Sequence, residues 1–187
     1  MFPCKCRPEL EFRLLERRDA EDFFQLNQKN MEYLIPWMPR IAENRSIAFT
    51  EKIIDKFLDE YCQGIGFRLG IWQNGQLVGY VGLINVDRIN MIGNVSCWID
   101  HDHQGQGIFT TAIKVVVNYG FDVINLNKIN WSCAVGNNAS QHVAEKLGFS
   151  QDGLLRQDER LANGYVDHVI NSVLKSEWEN LTVFLID

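Results

Sequence analysis

The sequence predicts an α/β (α+β) fold, in which one mixed sheet of about six to seven strands is covered by about four helices. Segments with strand-like and helical periodicity follow one another in the order β-α-α-β-β-β-α-β-α-β-β. Asn74-Gly75 joins two apolar stretches, a pattern typical of a β-hairpin. A glycine-rich turn at residues 104–107 then connects a strand to a long apolar helix. These three observations together favour a sheet with helices packed on it.

The first predicted strand and helix lie near the N-terminus. Glu11–Leu15 is predicted to form a short strand. Asp19, with Asp22 three residues later, resembles the capping box that begins a helix. This helix is expected to extend towards Asn30.

A loop and a second helix are predicted before the hairpin. Met31–Arg40 is aromatic and interrupted twice by proline, which favours a loop or short turn. Ser46 is predicted to cap the second helix. Apolar residues recur at spacings of three and four as far as Tyr61, and two glycines after it are expected to end the helix.

The middle of the chain is predicted to form three strands and a helix. The strands are expected at Phe67–Trp72, Gln76–Ile84 and Asn94–Asp100. A helix is then expected from about Gly107 to Asn125, because its apolar residues follow the helical period.

The last third of the chain is predicted to return to the sheet. Lys128–Val135 alternates apolar and polar residues, as a strand does. A helix capped by Asn137 or Asn138 is expected to end at Leu147. Two final strands are predicted at about Phe149–Gln157 and Val166–Lys175, around the turn at residues 163–164.

Composition favours one globular domain, residues 1–187. Of the 187 residues, 46% are hydrophobic and 22% are charged, typical of a soluble protein. The net charge of −6 argues against a nucleic-acid partner. No apolar run of about 18 residues is present, so no membrane span is expected. The first ten residues lack an apolar signal core, which favours a cytoplasmic location.

The five cysteines do not suggest a disulfide framework. Their number is odd, and three lie within apolar segments, as expected for reduced thiols in a cytoplasm. Cys4-x-Cys6 provides only two potential metal ligands with no histidine nearby, so no metal site is expected.

The glycine turn is the most informative feature of the sequence. Trp98-Ile99-Asp100 ends a strand, and Gly105-x-Gly107 then opens a helix. Glycine permits a tight turn and close approach of a ligand. The free N–H groups of a first helical turn, together with the helix dipole, favour an anion such as a pyrophosphate. A Walker loop is excluded because no Gly-Lys-Ser/Thr follows, and a Rossmann fingerprint lacks its third glycine and its βαβ context.

Two motifs in order make the chain resemble the GNAT acetyltransferase superfamily, and within it the ribosomal-protein N-terminal acetyltransferases (the RimJ/RimL group). Gly105-x-Gly107 matches the glycines of the family motif Gln/Arg-x-x-Gly-x-Gly/Ala, while Asp102 departs from its first position and removes one side-chain contact. The second signature and three shorter matches lie at the expected spacing: Asn137-Asn138-Ala139-Ser140, Glu145-Lys146-Leu147-Gly148-Phe149, Leu126-Asn127-Lys128-Ile129, Tyr33-Leu34 and Trp37-Met38-Pro39. The resemblance covers roughly residues 9–178 and implies a single, mixed, mostly antiparallel GNAT sheet.

The resemblance implies acetyl-CoA as the acetyl donor, and no metal. In this family the pantetheine arm adds to the splayed edge of the strand before the glycine turn, and the turn holds the pyrophosphate. The positions that match are, for the arm, Cys97, Trp98, Ile99, Asp100 and Asn137, and for the pyrophosphate, Gln104, Gly105, Gln106, Gly107, Ile108, Phe109 and Thr110. By itself, Asn137 is equally well explained as a helix N-cap.

The resemblance also implies that Ser140 and Glu159 are catalytic. Glu159 would accept the proton of the substrate ammonium, and Ser140 would donate a hydrogen bond to the departing thiolate. A thiol has a pKa near 8.5, so its anion needs little help; the Ser140→Ala change is expected to slow catalysis without abolishing it. The alternatives are a polar residue in the first helical turn for Ser140 and a solvated loop charge for Glu159.

The remaining candidates have simpler alternatives. Tyr33 and Trp37 either wall the acceptor site or are core aromatics. Surface positions are expected for all four histidines and for two lysines that could otherwise meet the 3′-phosphate: His101, His103, His142, His168, Lys114 and Lys146.

Three functions are compatible with these residues. The first is a cytoplasmic N-acetyltransferase that acts on the N-terminal α-amine of a protein, such as a ribosomal protein, which an acidic surface could attract. The second keeps the reaction but uses a small amine as acceptor. The third is a non-catalytic acyl-CoA-binding regulatory module. The apolar tail Leu181–Ile186 would suit contact with a second copy, so a homodimer stays open.

Overall fold

The computed structural model describes residues 4–182, with side chains from Arg7 to Trp178. The strands are β1 (Cys4–Arg7), β2 (Leu10–Leu14), β3 (Phe67–Gln73), β4 (Gln76–Asp87), β5 (Ile92–Ile99), β6 (Lys128–Ala134), β7 (Ser150–Leu161) and β8 (Gly164–Leu174). The helices are α1 (Ala20–Lys29), α2 (Met31–Leu34), α3 (Ile47–Cys62), α4 (Ile108–Asn118), α5 (Asn138–Lys146) and α6 (Lys175–Thr182). The predicted α/β fold class is confirmed.

The described strands form one sheet in the order β1-β2-β3-β4-β5-β6-β8-β7. Strands β5 and β6 are paired in parallel, and the other neighbours are antiparallel. The parallel pair arises because α4 returns the chain to the same end of the sheet. The predicted hairpin at residues 74–75 joins β3 to β4, and both of its turn residues have positive φ.

Each face of the sheet carries its own apolar cluster. On one face, α4 packs its buried residues, such as Ile113 and Val117, against β3, β4 and β6. On the other face, α1 and α3 pack through Phe23 and Ile54 against Tyr80 and the end of β5. The glycine turn enters α4 at the edge between these layers, which places it beside the end of β5.

Several predicted boundaries differ from the structure. Strand β1 is absent from the predicted elements. The segment expected to be a loop contains the one-turn helix α2 and a 3₁₀ turn at Pro39–Glu43. The long helix expected to Asn125 ends at Asn118 and continues as a π turn, Tyr119–Val123. The tail predicted to suit a second copy lies outside the residues whose side chains are described.

Asp19 occupies the predicted N-cap position of α1 without the expected side-chain hydrogen bond, whereas the cap of α3 is confirmed. Asp19 provides no side-chain cap to α1; its carboxylate instead pairs with Arg13 at 2.7 Å and accepts from the Glu16 N–H. A two-pronged arginine–carboxylate pair satisfies both groups better than a cap would. In α3, the Ser46 hydroxyl accepts from the Phe49 N–H at 3.2 Å.

Candidate active site

A cleft opens where β5 and β6 separate. The two strands pair only through residues 92–94 and 128–130, so the second half of β5 has free main-chain groups on that side. A cavity of about 520 Å³ lies at this point. It is lined from both sides of the sheet by α2, β5, the glycine turn, β6, α5, β7 and β8. An extended ligand could therefore pair with the free edge of β5.

Three residues predicted to meet the pantetheine arm line this cleft. Cys97, Trp98 and Ile99 form the end of β5 and contribute to its wall. The side chains of Trp98 and Ile99 are buried, on opposite faces of the sheet. Trp98 and Ile99 could therefore contact a ligand along the strand edge through their main-chain N–H and C=O groups.

The glycine turn has the backbone geometry of an anion site. Gly105 and Gly107 have φ angles of +73° and +74°, which residues other than glycine adopt only with strain. In α4 the Thr111 N–H donates to the Gly107 carbonyl. The amides of residues 108–110 precede it and have no carbonyl partner one turn back. Free amides at the start of a helix favour an anion such as a diphosphate.

The side chains around the turn have diverse surroundings. The Gln104 amide donates to the Tyr33 hydroxyl at 2.7 Å, which links the turn to α2. Gln106 points away from the cleft and donates to the Asp102 carbonyl. Ile108 is buried in the core, and Phe109 packs edge-on against Trp131. At Gln106, Ile108 and Phe109, therefore, only the main-chain N–H is suitably placed to bind a phosphate.

Asp100 is buried and does not line the cleft. Its N–H donates to the Val78 carbonyl, and its own carbonyl accepts from the His103 N–H. Its carboxylate lies 2.7 Å from Lys29 Nζ and 2.8 Å from His103 Nδ1. A direct coenzyme contact by Asp100 is therefore not supported, because its main-chain groups are engaged within the protein and its carboxylate is buried. His103, expected to be an exposed loop residue, is only partly exposed because it contacts Asp100, whereas His101 is exposed.

Asp100 joins α1 to the turn electrostatically. Burial by itself would raise the pKa of its carboxyl, but hydrogen bonds from Lys29, Asn30 and His103 outweigh burial and leave the pKa below its ordinary value. Lys29 also reaches Asp102 at 2.7 Å. The cation therefore links α1 to Asp100 and to Asp102, which lies in the 3₁₀ turn His101–His103 before the glycines.

The Lys29→Met change is expected to destabilise the fold, because it leaves a buried carboxylate with less compensation. We expect a loss of about 1–3 kcal/mol at pH 7, less than for a fully buried pair because Lys29 is partly exposed. A lowered folded-state pKa gives stability that is present above the unfolded pKa and lost as pH falls through the folded one. The loss caused by Lys29→Met should therefore shrink below about pH 4.

Denaturant unfolding at several pH values measures this effect. Lys52→Met is the control, since Lys52 is an exposed lysine of α3. An equal loss of stability for both variants, or a pH-independent loss for Lys29→Met, would contradict the explanation.

The start of α5 contributes two of the predicted residues. The Asn137 side chain caps α5 and accepts from the Ser140 N–H at 3.1 Å. The Ser140 hydroxyl accepts from Trp131 Nε1–H at 2.9 Å. Because Trp131 uses a lone pair of this oxygen, the hydroxyl keeps its hydrogen to donate, either to the neighbouring Cys133 sulfur or into the cleft.

Two cysteines also line the cleft. Burial raises the pKa of Cys97. Burial likewise raises the pKa of Cys133, against a weaker opposing effect of its hydrogen bond with Ser140. Both thiols are therefore neutral at pH 7, and neither has the thiolate character of a nucleophile.

Glu159 reaches the cleft because β7 is irregular. Between Leu155 and Glu159 the pairing with β8 shifts: Leu155 lies opposite His168 and Glu159 opposite Val166. Between these two pairs, residues 156–158 of β7 lie against the single residue Asp167 of β8. This bulge includes Gln157, which has a φ of +52°. The bulge re-aims the side chains that follow it, and the Glu159 carboxylate lies among the cleft-lining groups.

His168 was predicted to lie on the surface of a strand, which is wrong. Its side chain is only 12% exposed, and its Nε2 lies 3.0 Å from Glu159 Oε2. Sequence periodicity could not reveal this neighbour, because the contact depends on the register of β7 against β8.

The remaining candidates lie at the rim or on the surface. Tyr33 and Trp37 are half-buried and line the cleft, with Trp37 close to Gly136 of the loop before α5. His142 and Lys146 are residues of α5 at the cleft edge, and Lys114 is not among the lining residues.

Within the described part of the chain, no group of three or more potential metal ligands is found. The side chains of Cys4 and Cys6 lie outside the described residues. Between residues 4 and 182, no helix has both the length and the apolar character needed to cross a membrane.

Comparisons with known proteins agree with this geometry. A family model described as an acetyltransferase (GNAT) domain matches residues 9–150. The "Putative ribosomal N-acetyltransferase YdaF" of Bacillus subtilis (strain 168) is 35% identical over 96% of this chain and 98% of its own length. A spermidine N(1)-acetyltransferase of Vibrio cholerae is 28% identical over 92% and 96%.

A solved structure shows the same fold over nearly its full length. The crystal structure of a probable acetyltransferase superposes with a TM-score of 0.89, at 32% identity, over 95% of this chain and 99% of that one. The splayed strands, the glycine turn and the matched family model lead to one conclusion. The chain belongs to the GNAT acetyltransferase family and is an acetyl-CoA-dependent N-acetyltransferase.

Proposed function

We propose that this enzyme acetylates the N-terminal α-amine of a protein, and that a ribosomal protein is its substrate. The supporting observation is that the cleft offers a single carboxylate, Glu159, among the described residues that line it. An α-amine has a pKa of about 7.7–8.0, against roughly 10.4 for lysine, so one modest base is sufficient near neutral pH. The similarity to a ribosomal N-acetyltransferase supports the choice of acceptor.

The two candidate catalytic residues approach from opposite faces of the sheet. Ser132 and Ala134 of β6 alternate with Trp131 and Cys133 along the strand, so the two pairs face opposite sides. Trp131 contacts Ser140, which places α5 on one side. Glu159 lies on the other side, with Ser132 and His168. The acetyl donor would therefore lie between a base for the amine and a donor for the leaving thiolate.

Bound acetyl-CoA supplies the acetyl group as a thioester. In the proposed reaction, Glu159 accepts a proton from the acceptor's ammonium, and the freed amine attacks the thioester carbon. The C–N bond forms, the C–S bond breaks, and Ser140 donates a hydrogen bond to the leaving thiolate. The amine nitrogen loses a further proton as the amide forms, and the sulfur takes up a proton in its place, so that it ends as the free thiol. Free main-chain groups of β5 would bind the pantetheine arm alongside Asn137, and the amides of residues 105–110 would bind the diphosphate.

Direct attack within a ternary complex is favoured over an acetyl-enzyme intermediate. A covalent route would need a nucleophilic thiolate. Cys97 and Cys133 lie in the cleft, but burial raises the pKa of both. Neither cysteine is therefore assigned a catalytic role.

Tyr33 and Trp37 are proposed to wall the acceptor site. Both line the cleft at the rim formed by α2 and the loop that follows it. A polyamine is the second candidate acceptor, supported by the spermidine acetyltransferase relative. A long, cationic polyamine would be expected to contact several carboxylates along its path. Among the described residues that line the cleft, Glu159 alone carries a carboxylate, so the α-amine is the favoured acceptor.

Release of free coenzyme A thiol in the presence of different acceptors tests the proposal. A peptide with a free N-terminal serine or alanine should support turnover, and the same peptide with a blocked N-terminus and an internal lysine should not. Turnover with spermidine but not with the peptide would replace the proposed acceptor. Binding of acetyl-CoA without turnover for any amine would exclude the enzyme function itself.

The Ser140→Ala variant is expected to be slower but active. We expect kcat to fall about 10-fold, because a thiolate whose conjugate acid has a pKa near 8.5 is already a good leaving group. Ser140→Thr keeps the hydroxyl and should retain most of the wild-type rate. Complete loss of activity in Ser140→Ala, or an equal loss in both variants, would contradict the assigned role.

A further inference from the structure

The side chain of His168 is held between two strands on the acceptor side of the sheet. His168 of β8 lies opposite Ala134 of β6 and opposite Leu155 of β7. Glu159 of β7 lies opposite Val166, which is two residues from His168 along β8. The side chains of Glu159 and His168 therefore lie on the same face of the sheet as diagonal neighbours. The bulge in β7 creates this neighbourhood.

Both imidazole nitrogens have polar neighbours. Nδ1 lies 2.9 Å from the Ser132 hydroxyl oxygen, and Nε2 lies 3.0 Å from Glu159 Oε2. A second carboxylate, that of Asp158, lies 3.6 Å from Nδ1. The Asp167 carboxylate on the same strand is occupied by the Gln157 N–H at 2.8 Å. The charged groups that face the ring are therefore Asp158 and Glu159.

The Nε2 atom of His168 is buried and makes no hydrogen bond with any of the described residues. Glu159 Oε2 is near enough but lies off the N–H direction. The Glu159 side chain is 42% exposed, so a small rotation is sufficient to align it. With its hydrogen on Nε2, the imidazole can donate to a carboxylate oxygen of Glu159 while Nδ1 accepts from the Ser132 hydroxyl.

We propose that His168 is the positioning residue that holds the Glu159 carboxylate towards the acceptor, and that Ser132 fixes the imidazole for this task. This inference rests on the proposed function, in which Glu159 is the base. A half-exposed glutamate has several accessible rotamers. A largely buried ring with Nδ1 beside Ser132 and Nε2 beside Glu159 restricts that freedom and can donate a hydrogen bond to the carboxylate.

The proposal predicts a specific change in the pH dependence of the rate. The N–H bond of the acceptor's ammonium breaks and an O–H bond forms on Glu159, so only ionised Glu159 is competent. Loss of the Nε2–H donor removes an interaction that favours the ionised form. The acid limb of kcat/KM should therefore move to higher pH when that donor is lost.

Two near-isosteric variants separate this role from simple packing. His168→Gln places an amide nitrogen near the position of Nε2, whereas His168→Asn places its amide near Nδ1 and leaves Glu159 without a donor. We expect His168→Asn to lower kcat about 10- to 100-fold, part of the roughly 10²- to 10⁴-fold that a general base contributes. His168→Gln should restore most of the rate and the wild-type acid limb. The dissociation constant for coenzyme A should be unchanged in both.

A double variant tests whether His168 acts through Glu159. In the Glu159→Gln background, His168→Asn should cause little further loss of rate. Equal rate losses in the Asn and Gln variants, an unmoved acid limb, or additive losses in the double variant would overturn the proposal. Wild-type activity in Glu159→Gln alone would instead refute the proposed base, a distinguishable result.

Ser132→Ala provides a test that leaves the imidazole in place. Loss of the Nδ1 partner should lower kcat several-fold and broaden the same acid limb. If neither His168 variant folds, as judged by circular dichroism and coenzyme A binding, this variant decides the question. An unchanged rate and pH profile in Ser132→Ala would then overturn the proposal.

Discussion

The Glu159→Gln variant is expected to lose about 10²- to 10³-fold in kcat at pH 7, within the range that a general base contributes. Glutamine keeps the size of the side chain and one acceptor oxygen but cannot accept the ammonium proton. The deficit should shrink as the pH rises above about 8, since the α-amine of the acceptor then loses its proton unaided. For a lysine acceptor the deficit would persist to higher pH. Steady-state kinetics with an N-terminal peptide between about pH 6 and pH 9, a range that spans the α-amine pKa, measure the effect.

Two controls accompany this measurement. Asp59→Asn removes an exposed carboxylate from α3, remote from the cleft, and should leave kcat unchanged. Coenzyme A binding by calorimetry should be equal in Glu159→Gln and the wild type, because the carboxylate is on the acceptor side. A pH-independent deficit would show that Glu159 acts other than as a base.

The Gly107→Val variant is expected to weaken coenzyme A binding about 10- to 100-fold, the equivalent of one lost hydrogen bond to a charged group. Gly107 has a φ of +74°, where a side chain costs roughly 1–2 kcal/mol. Relief of this strain would rotate the first turn of α4 and misalign its free amides. Each hydrogen bond to a charged group contributes about 1.5–3 kcal/mol, so the loss of one is sufficient. Isothermal titration with coenzyme A measures the change.

Gly75→Val is the matched control. Gly75 has a φ of +79° and, like Gly107, has no atom within 4 Å of the position that a Cβ would occupy. It lies in the β3–β4 hairpin, so a substitution there introduces comparable backbone strain away from the cleft. Both variants should lose similar stability, and only Gly107→Val should lose affinity. Equal affinity in the two variants would mean that the turn does not bind the diphosphate.

The order of elements was predictable because it depends on local physics. The Asn74-Gly75 hairpin, the cap at Ser46 and the glycine turn depend on backbone preferences of a few adjacent residues. Periodicity located the apolar faces, and the structure confirms the fold class. Asp19 takes the predicted N-cap position but makes no side-chain capping bond, because the guanidinium of Arg13, which the strand β2 brings alongside, binds the same carboxylate.

The composition of the cleft was only partly predictable. The turn and the Asn137–Ser140 segment are contiguous motifs that resemblance could identify. The buried state of Asp100 depends on Lys29, 71 residues away in sequence. The position of His168 depends on how β8 pairs with both of its neighbours, so a histidine in an alternating strand gave no signal.

The sequence by itself determined the family, the strand–turn–helix that presents free amides, and the order of the elements, because each is encoded by neighbouring residues. Only the tertiary structure decided which side chains meet in the cleft. The separation of β5 from β6 and the bulge in β7 bring Glu159 and His168 together. Strand register is set by packing across the whole sheet, and it cannot be calculated from any one segment.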